Sequence, residues 1–284
     1  MWVLRSACKG ASQSMTIKSS VLLNRETIGH LLRLKAQAAN YGLWEDGGRA
    51  KSAAHLRASF FGYLKILKPA LFIEAGAHDA STSVAVKKLL PSTRVHAFEA
   101  NPYNYELFRK RPELANSDII YEHAALSDAV GEIAFNVHRS YGETELPPVS
   151  GRSSILERSD PNFSYEKVSV RSTTLDNKFS LSKDERCAIW IDVEGASRQV
   201  LLGSADLISR TDLLMIEVED KAAWQQQWVT HDVVAHLLQS ELYPVARDFE
   251  YRHQHNIVFL SARALQNPEI GVSIDYYFSV LIKS

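Results

Sequence analysis

Cysteine is nearly absent from this chain: Cys8 and Cys187 are the only two among 284 residues. Two thiols cannot build a disulfide framework or a zinc site, and such low usage fits a reducing, cytoplasmic compartment. Net charge is nearly absent too, at -1 from 32 basic and 33 acidic side chains. So even a balance gives no footprint for a nucleic-acid partner, and Lys87-Lys88 reads as a solvated helix face. No apolar run reaches the ~18 residues that mark a transmembrane helix. Internal repeats are missing. The first twenty residues hold no acid, only Arg5, Lys9 and Lys18 among many serines. Residues 1–23 therefore read as a disordered leader or, with Met15 at hand, a misplaced start, and an organellar targeting segment is the alternative.

What is present centres on Leu71 to Pro102. Leu71–Ala75 is a short apolar strand carrying Glu74, and Gly76-Ala77 and His78-Asp79 form a turn after it. Ser81–Leu90 reads as a helix that Pro91 stops, and Val95–Phe98 is a second strand ending in Glu99. One βαβ unit has this length. Its glycine lets backbone approach a ligand, and an acid at the next strand tip, 23 residues after Gly76, can take ribose hydroxyls. A single glycine is a poor dinucleotide fingerprint, since G-x-G-x-x-G is missing and Ala80 stands near a later glycine position. A lone glycine also fits a plain strand-to-helix turn, and the two acids at matched strand ends set a nucleoside site beside that reading.

Upstream, Asn24–Ala39 and Ala50–Leu67 read as two helices, and 24–68 forms an N-terminal helical cap that could serve as a homo-oligomer surface. The domain proper spans 69–284. Downstream, Tyr103–Lys110 is helical and Ile119–Tyr121 is a short strand. Gly131–His138 alternates, with Ile133, Phe135 and Val137 on one face. Arg139 to Asn162, with Pro147-Pro148 and several serines, reads as a long loop of the kind that forms lids. Val168–Arg171, Cys187–Val193, Leu213–Val218, Tyr243–Ala246 and Asn256–Leu260 are further strands, with helices after Gly195 and at His231–Ser240. The flanking polar residues of His253 and His255 assign both to a surface loop. Strand–helix alternation ending in a strand pair predicts an α/β, doubly wound, mostly parallel sheet with one antiparallel edge strand.

Eight pieces, in order, resemble the FkbM family of S-adenosylmethionine-dependent methyltransferases: FIEAGAHDAST at 72–82, VHAFEANPYNYELF at 95–108, HAALSDAVGEIAF at 123–135, GRSSIL at 151–156, VRSTTLD at 170–176, IDVEGASRQVLLGSADLI at 191–208, LLMIEVE at 213–219 and NIVFL at 256–260. The resemblance implies a class I methyltransferase, Rossmann-like fold: a seven-stranded sheet whose last strand is antiparallel. It implies S-adenosylmethionine as cofactor, held by Glu74, Gly76, Ala77 and His78 at the first turn and by Glu99, Ala100 and Asn101 at the ribose. Ala124 and Ala125 would wall the adenine, and Asp192 and Glu194 would lie next to the transferring methyl. Departures from the pattern are Glu74 for Asp, His78-Asp79-Ala80 for Asn-x-Gly, Trp190 for Lys and Ser197 for an acid. The last two fall on the substrate side.

The implied reaction moves a methyl to a hydroxyl of a sugar, glycan or small metabolite. Such an acceptor must lose a proton, and Asp192 or Glu194, at a strand tip, is the candidate base. No metal ligand set is assigned: Asp192, Glu194, Glu217 and Glu219 leave Mg²⁺ as the minor alternative to solvated or paired carboxylates. A nucleotide-dependent oxidoreductase and a non-catalytic binding protein that keeps the fold are the competing readings.

Overall fold

The computed structural model describes residues 48–282, with side chains described as far as Phe278. The expected leader 1–23 and the helix Asn24–Ala39 lie outside the described residues.

The main sheet has seven strands in the order β10-β11-β9-β8-β1-β2-β3. These are β1 (Leu71–Ala75), β2 (Arg94–Glu99), β3 (Ile119–His123), β8 (Cys187–Ile191), β9 (Thr211–Glu219), β10 (Leu242–Arg247) and β11 (Gln254–Ser261). The pairs β1–β2, β2–β3, β1–β8 and β8–β9 are parallel. Antiparallel pairing falls at the expected edge, where β11 is inserted between β9 and β10 and runs opposite to both. This is the class I methyltransferase sheet.

Its central strands are mostly apolar because both faces are covered. Successive residues alternate between two apolar clusters: Phe72, Ala188, Trp190, Leu213 and Met215 lie in one, and Leu71, Ile73, Ile189, Leu214 and Ile216 in the other. Helices α1 (Gly48–Leu67), α2 (Ser81–Leu89) and α6 (Pro268–Ile282) contribute to the first cluster. The second face is covered by α4 (Ser197–Leu202) and α5 (Thr230–Gln239), through Val200, Leu201, Val233 and Leu237. Helix α3 (Pro102–Phe108) follows β2, with Asn101 as its N-cap. The described helix of the expected cap, α1, packs into the sheet's own core, with Leu56, Phe60, Tyr63 and Leu64 at most 1% exposed.

A second sheet of four strands stands beside the first, in the order β4-β7-β5-β6. It comprises β4 (Ala125–Leu126), β5 (Gly131–Tyr141), β6 (Thr144–Glu145) and β7 (Phe163–Thr173). Sequence patterning sees β5 only as far as His138 and β7 only over Val168–Arg171. The two pair from Gly131↔Ser172 to Tyr141↔Phe163, so the expected long loop is shorter and begins after β6. Residues 146–162 are tethered by bridges at Asn136↔Ser154 and Arg158↔Trp224.

His255 corrects the surface assignment. It belongs to β11, opposite Val218 of β9, and is 1% exposed. Burial pushes its pKa down to about 4, so the ring is neutral. Among the described residues, no helix is long and apolar enough to cross a membrane.

Candidate active site

Beyond the carboxyl ends of β1, β2, β8 and β9 lies a cleft of about 400 Å³. Open α/β sheets bind ligands at this end, and the volume falls in the range of small-molecule sites. Of the residues expected to hold a cofactor or the acceptor, Gly76, His78, Glu99, Ala100, Asn101, Ala124, Ala125, Asp192 and Glu194 line it. Glu74 and Ala77 do not.

Glu74 points elsewhere for a reason visible in the strand. Alternation places it with Phe72 on the face covered by α1 and α2, where its Oε2 accepts from the Ser83 N–H (2.8 Å) and Oγ (2.6 Å). It steadies the start of α2. Burial pushes its carboxyl up to about 7 from an ordinary 4.5, against those hydrogen bonds. The folded state therefore holds a proton that the unfolded state releases, and the stability this contributes is present below pH 4.5 and lost as pH rises through about 7. Glu74→Gln removes the effect. Between pH 4.5 and about pH 8, the stability difference should move in the variant's favour by about 2–3 kcal/mol, read by denaturant unfolding at each pH. A difference constant with pH would show that Glu74 is ionised throughout.

The turn after β1 is tightly nested. Both Gly76 N–H and Ala77 N–H donate to the Phe98 carbonyl, at 3.0 and 2.8 Å. Gly76 has φ +77°, and a Cβ there would lie 1.8 Å from the Asp192 carbonyl oxygen. The glycine is thus required by the contact between the β1 and β8 ends. Ala80 also takes a left-handed φ, of 54°.

Glu99 is 5% exposed and its carboxylate is held on three sides. Its Oε2 accepts from the His78 N–H at 2.7 Å, and its Oε1 from the Asn101 N–H at 2.7 Å and Asn104 Nδ2 at 3.2 Å. Three of about four acceptor positions are used, leaving one on Oε2. Burial pushes this carboxyl up to about 7, and the three donors pull against it. Next to it Phe98, Ala124, Ala125, Leu126 and Phe135 give the cleft an apolar wall.

The opposite side is acidic. Asp192, Glu194 and Glu217 each present an oxygen within 4.8 Å of the others. Burial raises all three pKa values, and mutual repulsion raises those of Glu194 and Glu217 further. Burial pushes the Glu217 carboxyl well up, and a protonated Glu217 beside Asp192 would offset part of the rise at Asp192. Glu194 stands apart in having a cation, Arg158, whose Nη2 is 3.4 Å from Oε2. Its backbone is strained, with φ +51° ahead of Gly195 at +81°. Glu219, grouped with these acids in the sequence, instead accepts from Gln227 Nε2.

Trp224, Arg158 and Asn104 complete this neighbourhood, and sequence patterning singled out none of them. The Arg158 guanidinium lies 3.9 Å from the Trp224 ring centre, and a Cβ at Gly195 would lie 2.3 Å from Trp224 Cδ1. His138 stacks beside them, 0% exposed, between Phe163 and Trp224.

Residues 74–252 match the model of the methyltransferase FkbM domain. The chain belongs to the FkbM methyltransferase family. A relative with a named activity is the 2-O-methyltransferase NoeI of Sinorhizobium fredii (strain NBRC 101917 / NGR234), 24% identical over 164 residues, which are 55% of this chain and 66% of that protein. Among solved structures, the Burkholderia thailandensis 1,6-didemethyltoxoflavin-N1-methyltransferase, with 1,6-didemethyltoxoflavin and S-adenosylhomocysteine bound, is similar at a TM-score of 0.37 and 11% identity, covering 91% of this chain and 93% of that one. Precorrin-6y C5,15-methyltransferase from Geobacter metallireducens GS-15 is similar at 0.35 and 14%, covering 72% and 86%. The FkbM assignment rests on the family match. It displaces the oxidoreductase alternative, which the lone glycine of the first turn already disfavoured.

The donor set of this FkbM protein fits S-adenosylmethionine. A fixed buried carboxylate suits ribose hydroxyls, an apolar wall suits a heterocycle, and a cluster of acids suits a sulfonium cation.

Proposed function

We propose that this protein is an S-adenosylmethionine-dependent methyltransferase acting on a hydroxyl of a sugar, a glycan or a small metabolite. The observation that carries the reading is one cleft that joins Glu99, preset by three donors, to the acids Asp192 and Glu194 at the end of β8. The 2-O-methyltransferase relative supports a hydroxyl acceptor. The cofactor, when bound, supplies an electrophilic methyl on a sulfonium.

The chain's own residues do the rest. Gly76 and Ala77 keep the first turn pinned to β2, so this part of the cleft stands without a ligand. Alignment of donor and acceptor is the largest contribution such a rigid site makes, up to ~7–11 kcal/mol of the barrier. Asp192 orients the acceptor hydroxyl and takes its proton, with Glu194 as the second candidate. Raised pKa values suit a base that works near neutral pH.

Two measurements test this. The purified protein should retain S-adenosylhomocysteine but not NAD, and should transfer labelled methyl from S-adenosylmethionine to a member of a sugar and metabolite hydroxyl panel. Binding without turnover across that panel would favour the non-catalytic alternative. Replacing the ribose carboxylate should act on affinity. Glu99→Ala should weaken S-adenosylhomocysteine binding by about 1.5–3 kcal/mol, the worth of hydrogen bonds to a charged group. Unchanged affinity by calorimetry would remove Glu99 from the cofactor site.

A further inference from the structure

We propose that Asn104 is a positioning residue that couples the ribose carboxylate Glu99 to the loop over the cleft, so that filling the cofactor site orders residues 146–155. The inference rests on the cofactor reading of Glu99 given above.

Asn104 lies on α3 and is 1% exposed. Its Nδ2 donates to Glu99 Oε1 at 3.2 Å and to the Ser150 carbonyl at 2.9 Å. Its Oδ1 accepts from the Ser150 N–H at 3.0 Å. Towards Ser150 the amide behaves as a strand neighbour would, pairing with both backbone groups of one residue, and its remaining N–H goes to Glu99. Both N–H groups and the carbonyl are used. No other side chain offers this. Aspartate lacks the donors, glutamine is one methylene too long, and alanine leaves the Ser150 backbone groups without this partner and Glu99 with two donors instead of three.

Few other contacts hold the loop. Asn101 Nδ2 donates to the Pro148 carbonyl at 2.8 Å, and the Asn136 N–H donates to the Ser154 carbonyl at 2.8 Å. Between these two anchors, Ser150, Gly151, Arg152 and Ser153 line the cleft, and the His138 N–H donates to Ser153 Oγ at 3.2 Å. Asn101 also reaches both Glu99, through its N–H, and the loop, at Pro148, but Asn104 is the residue whose one side-chain amide joins Glu99 to the cleft-lining span itself. When a ligand hydroxyl takes the remaining position on Glu99 Oε2, the carboxylate is held more firmly still, and the Asn104 amide and Ser150 are held with it. Cofactor binding thereby sets the wall against which the acceptor must fit.

Hydrogen exchange with and without S-adenosylhomocysteine tests this in the full chain, in Asn104→Ala and in the isosteric Asn104→Asp. In the unaltered chain the ligand should slow exchange across 150–153 by about tenfold, as one added hydrogen bond would. Each variant should still bind, more weakly by about tenfold, and should show ligand-induced slowing at the turn after β1 but none in the loop. A merely structural role for Asn104 would lower the melting temperature and leave the loop's response to ligand in place. Equal slowing of the loop in a variant, or none in the unaltered chain despite binding, overturns the coupling. The measurement on the unaltered chain decides even if a variant does not fold. Failure of that chain to bind S-adenosylhomocysteine at all would instead bring down the cofactor reading itself.

Discussion

Asp192→Asn should lower kcat by ~10²–10⁴-fold, the usual worth of a general base, while the protein stays folded. The carboxylate ends a strand, Cys187–Ile191, that is buried along its whole length, and it opens into the cleft. Its backbone is fixed by a hydrogen bond from its N–H to the Ala75 carbonyl at 2.9 Å, a contact that the substitution leaves intact. Asparagine has the same shape and cannot take up a proton. The pH profile gives a second reading of the same group. Burial raises the Asp192 pKa, so in the unaltered chain activity should fall as pH drops towards that value and the carboxylate becomes protonated. The variant should lose this acid limb. If turnover stays near normal and only cofactor affinity declines, Asp192 belongs to the binding set and the base is unassigned; Glu194→Gln would then be the next variant to assay.

Gly76→Ala should destabilise the fold by about 3 kcal/mol or more, against about 1 kcal/mol for Gly142→Ala. Both glycines have positive φ, at +77° and +56°, so both substitutions force alanine into the left-handed region. They differ in what surrounds them. Nothing lies within 4 Å of a Cβ at Gly142, whereas one at Gly76 meets the Asp192 carbonyl oxygen at 1.8 Å. That oxygen is backbone at the end of a central strand and cannot rotate away. Relief requires the ends of β1 and β8 to part, at the cost of the Ala75↔Ile191 pairing and of the placement of Asp192. Chemical denaturation of the two variants side by side checks the difference. Equal losses would mean that the close approach contributes nothing and only backbone strain matters.

Much of this fold was legible because both faces of the central strands are covered. Runs such as Cys187–Ile191 have no polar interruption, so strand, glycine turn and acid tip stand out in one dimension. The orientation of Glu74 needed a further step. The motif suggests an acid at the ligand, while alternation from Phe72 sends the side chain to the helices that cover the other face. Long-range contacts were the part that sequence could not give. Trp224 reads as an ordinary loop aromatic until Gly195 is seen to lie against its ring. Asn104 looks like a surface residue of a short helix, since nothing nearby in sequence announces Ser150, 46 positions away. His255 was misplaced because strand pairing with β9 continues past the apolar stretch, as far as Gln254↔Glu219.

The arm formed by β5 and β7 leaves the domain after Leu126 and returns at Thr173, and these two residues are register partners. An excursion whose two ends meet asks little of the chain path in the sheet that it departs from, so its length can vary where it does not touch α3, Glu194 or Trp224. The arm nonetheless supplies part of the cleft, Phe135 in its apolar wall and Ser150 to Ser153 along its rim, so exchanging the segment between residues 126 and 173 would reshape the cleft while the chain ends that carry it stay where they are.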